Sequence, residues 1–355
     1  MSAPKISIRA GRRAYELLSN RPLTPELIAG VAVAAGGPKW FTTYGLVRYI
    51  INDLLADDLS RFYIGSSVGS WQMAAACTAD PGGALDRLKK AYAEHIYTEK
   101  PDADEISNAC ADMIRQMVSD QTDPILNHQT KRLYVTTSRG RGMCNTEQRS
   151  MLLPGLALAA IGHTMKRSWL QGTMRREIFS NHISLPYNTE LDTLKTKLHP
   201  LNSANLVDAM TASGAIPLLM RGITVTGTTG GIYWDGGIVD YHMAYPYDRS
   251  DGKIVLLPHF MHDVLVGWFD KHLPMFGRAK QEFMSDVLVV YPSEDYVRSL
   301  PRQQISTMDD FDHFGQDQQG RIAYWDAISS KSLDLGAEFK ERIESDTLRE
   351  VMRPY

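Results

Sequence analysis

Apolar residues along the chain fall into two alternating spacings. Short unbroken runs are bounded by Gly, Pro or Asp, and longer stretches repeat their apolar positions every three or four residues. Gly30–Ala35, Arg61–Ile64, Lys131–Thr137, Arg176–Ser180, Gly231–Trp234, Lys253–Leu257 and Asp286–Val290 are of the first kind and predict strands. Ile8–Asn20, Val68–Ala79, Ala84–Tyr97, Asp104–Ser119 and Asn202–Ser213 read as helices, with a brief helical stretch at Leu23–Leu27. Trp40, Tyr44, Val47, Ile51 and Leu54 mark one face of an amphipathic helix of about four turns. Strands alternating with helices predict an α/β fold with a largely parallel sheet between layers. Without a repeat, long linker or low-complexity segment, the 355 residues are expected to form one domain. Its core would span about 28–260 and a C-terminal elaboration about 261–355.

The richest apolar run, Met151–Ile161, contains Pro154 and Gly155 and falls short of the ~18 residues of a membrane span. It is expected to be a buried helix, with a lid or lipid-facing helix as the alternative. The aromatic stretch from His259 to Lys271 carries the same pair of readings. A net charge of −3, without a dense basic block, argues against nucleic acid as a main partner. Cys77, Cys110 and Cys144 are widely spaced and odd in number, which suits a reducing compartment. No secretory leader is read in the first residues, so the expected location is cytoplasmic, with peripheral membrane contact as an option.

Three segments carry candidate chemistry. Gly65-Ser66-Ser67-Val68-Gly69 matches G-x-S-x-G between a predicted strand and a predicted helix. That setting forces a serine into a sharp turn and presents its hydroxyl at the helix N-terminus, with the Val68 N–H facing a developing oxyanion. Gly36-Gly37-Pro38-Lys39-Trp40 follows the first buried strand and can offer backbone N–H groups to an anion. A P-loop reading fails because Trp40 follows Lys39, and Pro38 has no N–H, so Gly36 and Gly37 are the better donors and Lys39 a residue orienting the loop. Gly140-Arg141-Gly142 misses the dinucleotide pattern at Asn145. Third, Asp235-Gly236-Gly237 sets a carboxylate at the end of a short apolar strand. Alone it reads as an ordinary turn.

In order, the Gly-Gly-x-Lys loop, G-x-S-x-G and D-G-G resemble the patatin-like phospholipase family, as does Thr211-Ala212-Ser213-Gly214-Ala215-Ile216-Pro217 ahead of the last. The resemblance spans roughly Gly30 to Pro246 and points to a bacterial subgroup without a secretion module. It implies a three-layer α/β/α sandwich related to cytosolic phospholipase A2 and a Ser–Asp dyad. Ser67 would be the nucleophile, Asp235 the base, and Gly36, Gly37 and Val68 the oxyanion hole. Ala35 and Trp40 depart from the family's usual G-G-G-x-[KR]-G loop, and Asp240-Tyr241-His242-Met243 replaces its Asn-Asn-Pro. These departures bear on loop geometry and substrate shape.

The implied reaction is acyl transfer to Ser67 and then to water, acting on a lipid or other acyl ester, with no cofactor. An aspartate with an ordinary pKa of about 3.9 is a weak base near neutrality, so Asp235 is expected to be desolvated. A Ser–Asp–His triad is the rival scheme, because His242, His259 and His262 follow Asp235. An acyltransferase and a non-catalytic lipid-binding protein are the competing functions. Asp309, Asp310, Asp312 and Asp317 form an acidic cluster, but Arg321 stands where an EF-hand needs its closing glutamate. The cluster is read as a solvated loop without metal.

Overall fold

The computed structural model describes residues 3–247, 249, 251–272 and 278–355. Among these, ten strands form one sheet: β1 (Ile6–Ala10), β2 (Ile28–Val33), β3 (Arg61–Ser66), β4 (Lys131–Gly140), β5 (Met174–Ser180), β6 (Lys197–Pro200), β7 (Tyr233–Asp235), β8 (Ile254–Pro258), β9 (Val287–Pro292) and β10 (Met352–Pro354). Their order is β10-β1-β9-β8-β2-β3-β4-β5-β6, with β7 paired to β4 outside this path. Pairing is parallel from β9 through β8, β2 and β3 to β4, and antiparallel at β1–β9, β4–β5 and β4–β7.

Alternate residues of the central strands point to opposite faces, and each face has its own core. Val31, Val33, Tyr63, Leu133, Val135 and Leu256 face a helical layer. It contains α1 (Arg12–Asn20), α2 (Trp40–Tyr49), α3 (Val68–Ala76), α4 (Pro81–Glu94) and α5 (Ala103–Val118). Later come α6 (Thr122–Asn127), α7 (Arg149–Met165), α8 (Leu206–Ser213), α9 (Glu294–Ser299), α10 (Asp309–Phe314), α11 (Gln318–Glu344) and α12 (Leu348–Val351). Of these, α8 and α11 bury Met210, Trp325, Ile328 and Phe339 in the same core. Ala32, Phe62, Ile64, Tyr134, Val255 and Leu257 face the other way, against Tyr187, Met243, Tyr245, Val264 and Met284. The chain therefore has the expected α/β sandwich with a mainly parallel sheet. Its two covering layers are unequal, because the second is closed largely by irregular segments.

Several elements differ from the pattern reading. Ile8–Asn20 is not one helix: β1 ends at Ala10, and α1 begins after Gly11. The strand buries Ile6, Ile8 and Ala10 alternately, the two-residue period of a sheet. The Trp40 helix changes to a π turn over Ile50–Leu54. Asp309–Asp312 is not a solvated loop. It opens α10, where Asp310 is fully buried, pairs with Arg302 at 2.9 Å and accepts from Thr307 N–H and Trp325 Nε1. No helix among the described residues is long and apolar enough to cross a membrane.

Candidate active site

Strand β3 leaves the sheet at Ser66, and the next residue, Ser67, has φ 55° and ψ −136° before α3 begins at Val68. A non-glycine residue in that conformation carries strain that the surrounding packing must hold. Two glycines let the turn close. A Cβ on Gly65 would lie 2.3 Å from the Gly69 backbone, and one on Gly69 would lie 2.3 Å from the Val33 oxygen. The small residues of G-x-S-x-G are thus set by the close passage of β2, β3 and α3.

Where β3 departs, β7 takes its place along β4. Ser66 is registered with Thr136, and the next residue of β4, Thr137, with Asp235. This topology brings together two residues 168 positions apart: Ser67 Oγ donates to Asp235 Oδ2 at 2.7 Å. Asp235 Oδ1 accepts from Gly237 N–H at 2.6 Å. Burial pushes the Asp235 carboxyl up from 3.8 to about 6, against the opposing pull of its bonds to Ser67 and Gly237. The Ser67 N–H donates to Ser213 Oγ (2.9 Å), whose hydroxyl donates to Thr136 O (2.6 Å). Ser213 therefore braces the turn from α8.

The glycine loop lies against the Asp235 loop. Ala35 N–H donates to Tyr241 O at 2.8 Å, and Lys39 Nζ donates to Tyr241 Oη at 3.2 Å while lying 4.6 Å from the Phe260 ring centre. Ser306 Oγ donates to Pro38 O at 2.6 Å. Among the described residues the backbone donors that tie this loop are Ala35, Lys39 and Trp40, and the N–H groups of Gly36 and Gly37 are outside that set. Burial, with Lys271 nearby, lowers the Lys39 ammonium from 10.5 to about 8.

A cavity of about 370 Å³ opens over these groups. Gly36, Gly37, Lys39, Ser67, Asp235 and Tyr241 line one side. Leu156, Ile216, Leu218, Ile238, Trp268, Phe269 and Met308 supply the apolar wall. The volume is within the usual range for small-ligand sites. Val68 is not on this wall; it borders a much smaller void with Gly36 and Trp40. Another cavity, about 310 Å³ and lined by Arg61, Arg132, Tyr134, Arg249 and Lys253, lies at the start of β3, the opposite end from Ser67.

The three candidate histidines, His242, His259 and His262, are engaged elsewhere. His242 Nδ1 accepts from Leu265 N–H at 2.9 Å, and burial holds this ring well below its usual range. His259 Nδ1 lies 2.7 Å from Met261 O, and burial pushes it down to about 3. His262 lies 3.2 Å from Asp263.

Residues missed by the motif reading come from outside the motifs. Leu156, Trp268 and Lys271 reach the cavity from the two apolar segments read as buried or lipid-facing, and Thr307–Asp309 from a distant segment, none of them through the three motifs. The segment replacing Asn-Asn-Pro did carry one. Asp240 receives two 2.6 Å hydrogen bonds from Arg176 and one at 3.1 Å from Arg167, while Tyr241 holds Lys39. The departure thus substitutes a buried ion pair and an aromatic clamp.

Among curated proteins none matches the chain. The family model described as patatin-like phospholipase matches residues 31–245, a span running from β2 past the Asp235 loop. The chain belongs to the patatin-like phospholipase family, a family of lipid acyl hydrolases.

Proposed function

We propose that the protein cleaves carboxylic esters of lipids through an acyl-enzyme, with Ser67 as nucleophile and Asp235 as its only proton acceptor. The observation that carries this reading is the 2.7 Å hydrogen bond from Ser67 Oγ to a buried carboxylate, on the floor of a largely apolar cavity. In the first step Ser67 Oγ attacks the ester carbonyl and its proton passes to Asp235 Oδ2. The tetrahedral oxyanion is received by the backbone N–H groups of Gly36 and Gly37, which line the cavity, with the Val68 N–H, next after Ser67 at the N-terminus of α3 and outside the cavity wall, as the third donor. Collapse expels the alcohol, which takes the proton from Asp235, and leaves the acyl group on Ser67. Water, losing a proton to Asp235, then attacks the acyl group, and collapse releases the fatty acid as Ser67 Oγ takes the proton back from Asp235.

A carboxylate that titrates near 6 is ionised at neutral pH yet basic enough to share a proton, which supports the role of base. The separate engagements of His242, His259 and His262 favour the dyad over a triad. Lys39 and Lys271 border the same cavity and suit a substrate with an anionic group beside the ester.

The test is hydrolysis of a panel running from short soluble esters through lysophospholipid to phospholipid, by the parent protein and Ser67→Ala. Released fatty acid with the parent and none with the variant is expected. Equal release by both would defeat the reading, and acyl groups moved mainly to added alcohols would reassign the protein as a transferase.

A further inference from the structure

Helix α7 divides lengthwise into an anchored and an unpartnered face. Leu152 and Ala159 are buried, and buried His163 Nε2 lies 2.7 Å from Asp270 Oδ1, which fixes the helix to the segment carrying Trp268 and Phe269. The expectation of a buried helix therefore holds for one side. On the other side Met151 is 43% exposed, Leu153 51%, Leu158 52%, Ile161 57% and Met165 66%, followed by Trp169 at 54%. Pro154 and Ala157 fill the spaces between them, so the outer face has no polar side chain at its centre. Scattered exposed apolar residues need no explanation, but a contiguous helical face does.

Two further observations choose the occupant. Leu156, within one turn of Leu153 and Ala160, lines the cavity above Ser67, so this apolar face reaches the cavity wall. Arg149 and Lys166 stand exposed at the two ends of the helix and enter no ion pair among the described residues. Glu147, the nearby acid, accepts from Gly222 N–H at 2.7 Å. A second copy packed about a twofold axis would set cation against cation, whether the helices ran parallel or antiparallel. A layer of lipid phosphates would meet both ends favourably while the apolar face entered the acyl boundary.

We propose that α7, with Trp169, is the surface by which the protein sits on a lipid layer, delivering acyl chains past Leu156 to the cavity. The choice of a lipid occupant rests on the hydrolase reading, so binding and turnover are tested apart. Intact Ser67→Ala protein, which binds without consuming substrate, is floated with vesicles of phosphatidylcholine alone or mixed with phosphatidylglycerol. Binding to both is expected, stronger with the anionic lipid, and at least about ten-fold weaker when Leu158→Glu and Ile161→Glu are added. On the Ser67 background, the same pair should leave hydrolysis of a short soluble ester within about two-fold while reducing vesicle hydrolysis at least about ten-fold. Unchanged thermal unfolding of the double variant confirms that only the surface was altered. Lack of flotation by the parent, or equal flotation by the double variant, would overturn the proposal. So would a dimer that the double variant dissolves without any vesicle binding. Flotation that depends on Leu158 and Ile161 in a protein that hydrolyses no ester would uphold the docking surface and defeat the hydrolase reading instead.

Discussion

Replacing Asp235 by Asn should make the protein more stable at neutral pH, because the native fold holds this carboxyl where its charge is unfavourable. Burial raises it from 3.8 to about 6. At about 1.4 kcal/mol per pH unit, the neutral form is favoured by about 3 kcal/mol relative to the unfolded chain. The sign follows from proton binding. Between about pH 4 and about pH 6 the unfolded chain has released this proton while the native state retains it, so parent stability falls as pH rises through that window. Above about pH 6 the loss is complete and constant. Asn carries no charge at any pH and keeps an oxygen for Gly237 N–H, although its amide is a poorer partner for the Ser67 hydroxyl. The expected gain for Asp235→Asn is therefore about 1–3 kcal/mol at about pH 8, shrinking toward zero or below at about pH 4.5. Urea unfolding of both proteins at several pH values measures it. A stability difference that does not change with pH, or a parent that gains on the variant as pH rises, would refute the argument that desolvation sets this group.

Three other outcomes follow from the same structure. The value of kcat/KM on a soluble ester should fall about ten-fold per pH unit below about 6, as Asp235 gains a proton. It should also decline above about 8 as Lys39 loses its charge, and Lys39→Arg should remove only the basic limb. Asp240→Asn strips one side of the buried contact with Arg176 and Arg167 and should cost about 3–5 kcal/mol in denaturant unfolding; no loss would mean that the pair does not hold this loop. Ser213→Ala leaves the Ser67 N–H and Thr136 O without their buried partner, which should cost about 1–3 kcal/mol and lower kcat more than it raises KM; a change in KM alone would contradict a bracing role.

The sheet centre was legible because β2, β3, β4, β8 and β9 are short apolar runs between turn residues, and burial on both faces demands that composition. At the edges the signal was weaker. Strand β1 has the alternation Ile6, Ile8, Ala10, but its continuation into α1 blurs the change of period at Gly11. Strands β6 and β10 are four and three residues long, below the length at which a two-residue period can be seen. Helix α11, 27 residues long, was missed although Trp325, Ile328, Leu335 and Phe339 carry helical spacing. At the site, the residues named from motifs are those fixed by local backbone geometry: Ser67 at its turn, Gly65 and Gly69 at their close contacts, Asp235 before its turn. Ser213, Asp240 and Tyr241 lie in segments that the sequence marks, but their partners are set by long-range hydrogen bonds that no local pattern records. Which of the two readings of α7 applies to each face is hidden in the sequence for a related reason. Its composition is that of a buried helix, and only the fold shows which side is left uncovered.

Whether Ser67 is a nucleophile activated by Asp235 alone is read most directly from the rate of covalent labelling by a fluorophosphonate. The adduct is located by mass spectrometry in the parent, Asp235→Asn and His262→Ala. A single adduct on Ser67 is expected, with a labelling rate that rises through about pH 6. That rate should drop at least about 100-fold in Asp235→Asn and stay unchanged in His262→Ala. An adduct on another residue, or an Asp235→Asn protein that labels as fast as its parent, would contradict that pairing.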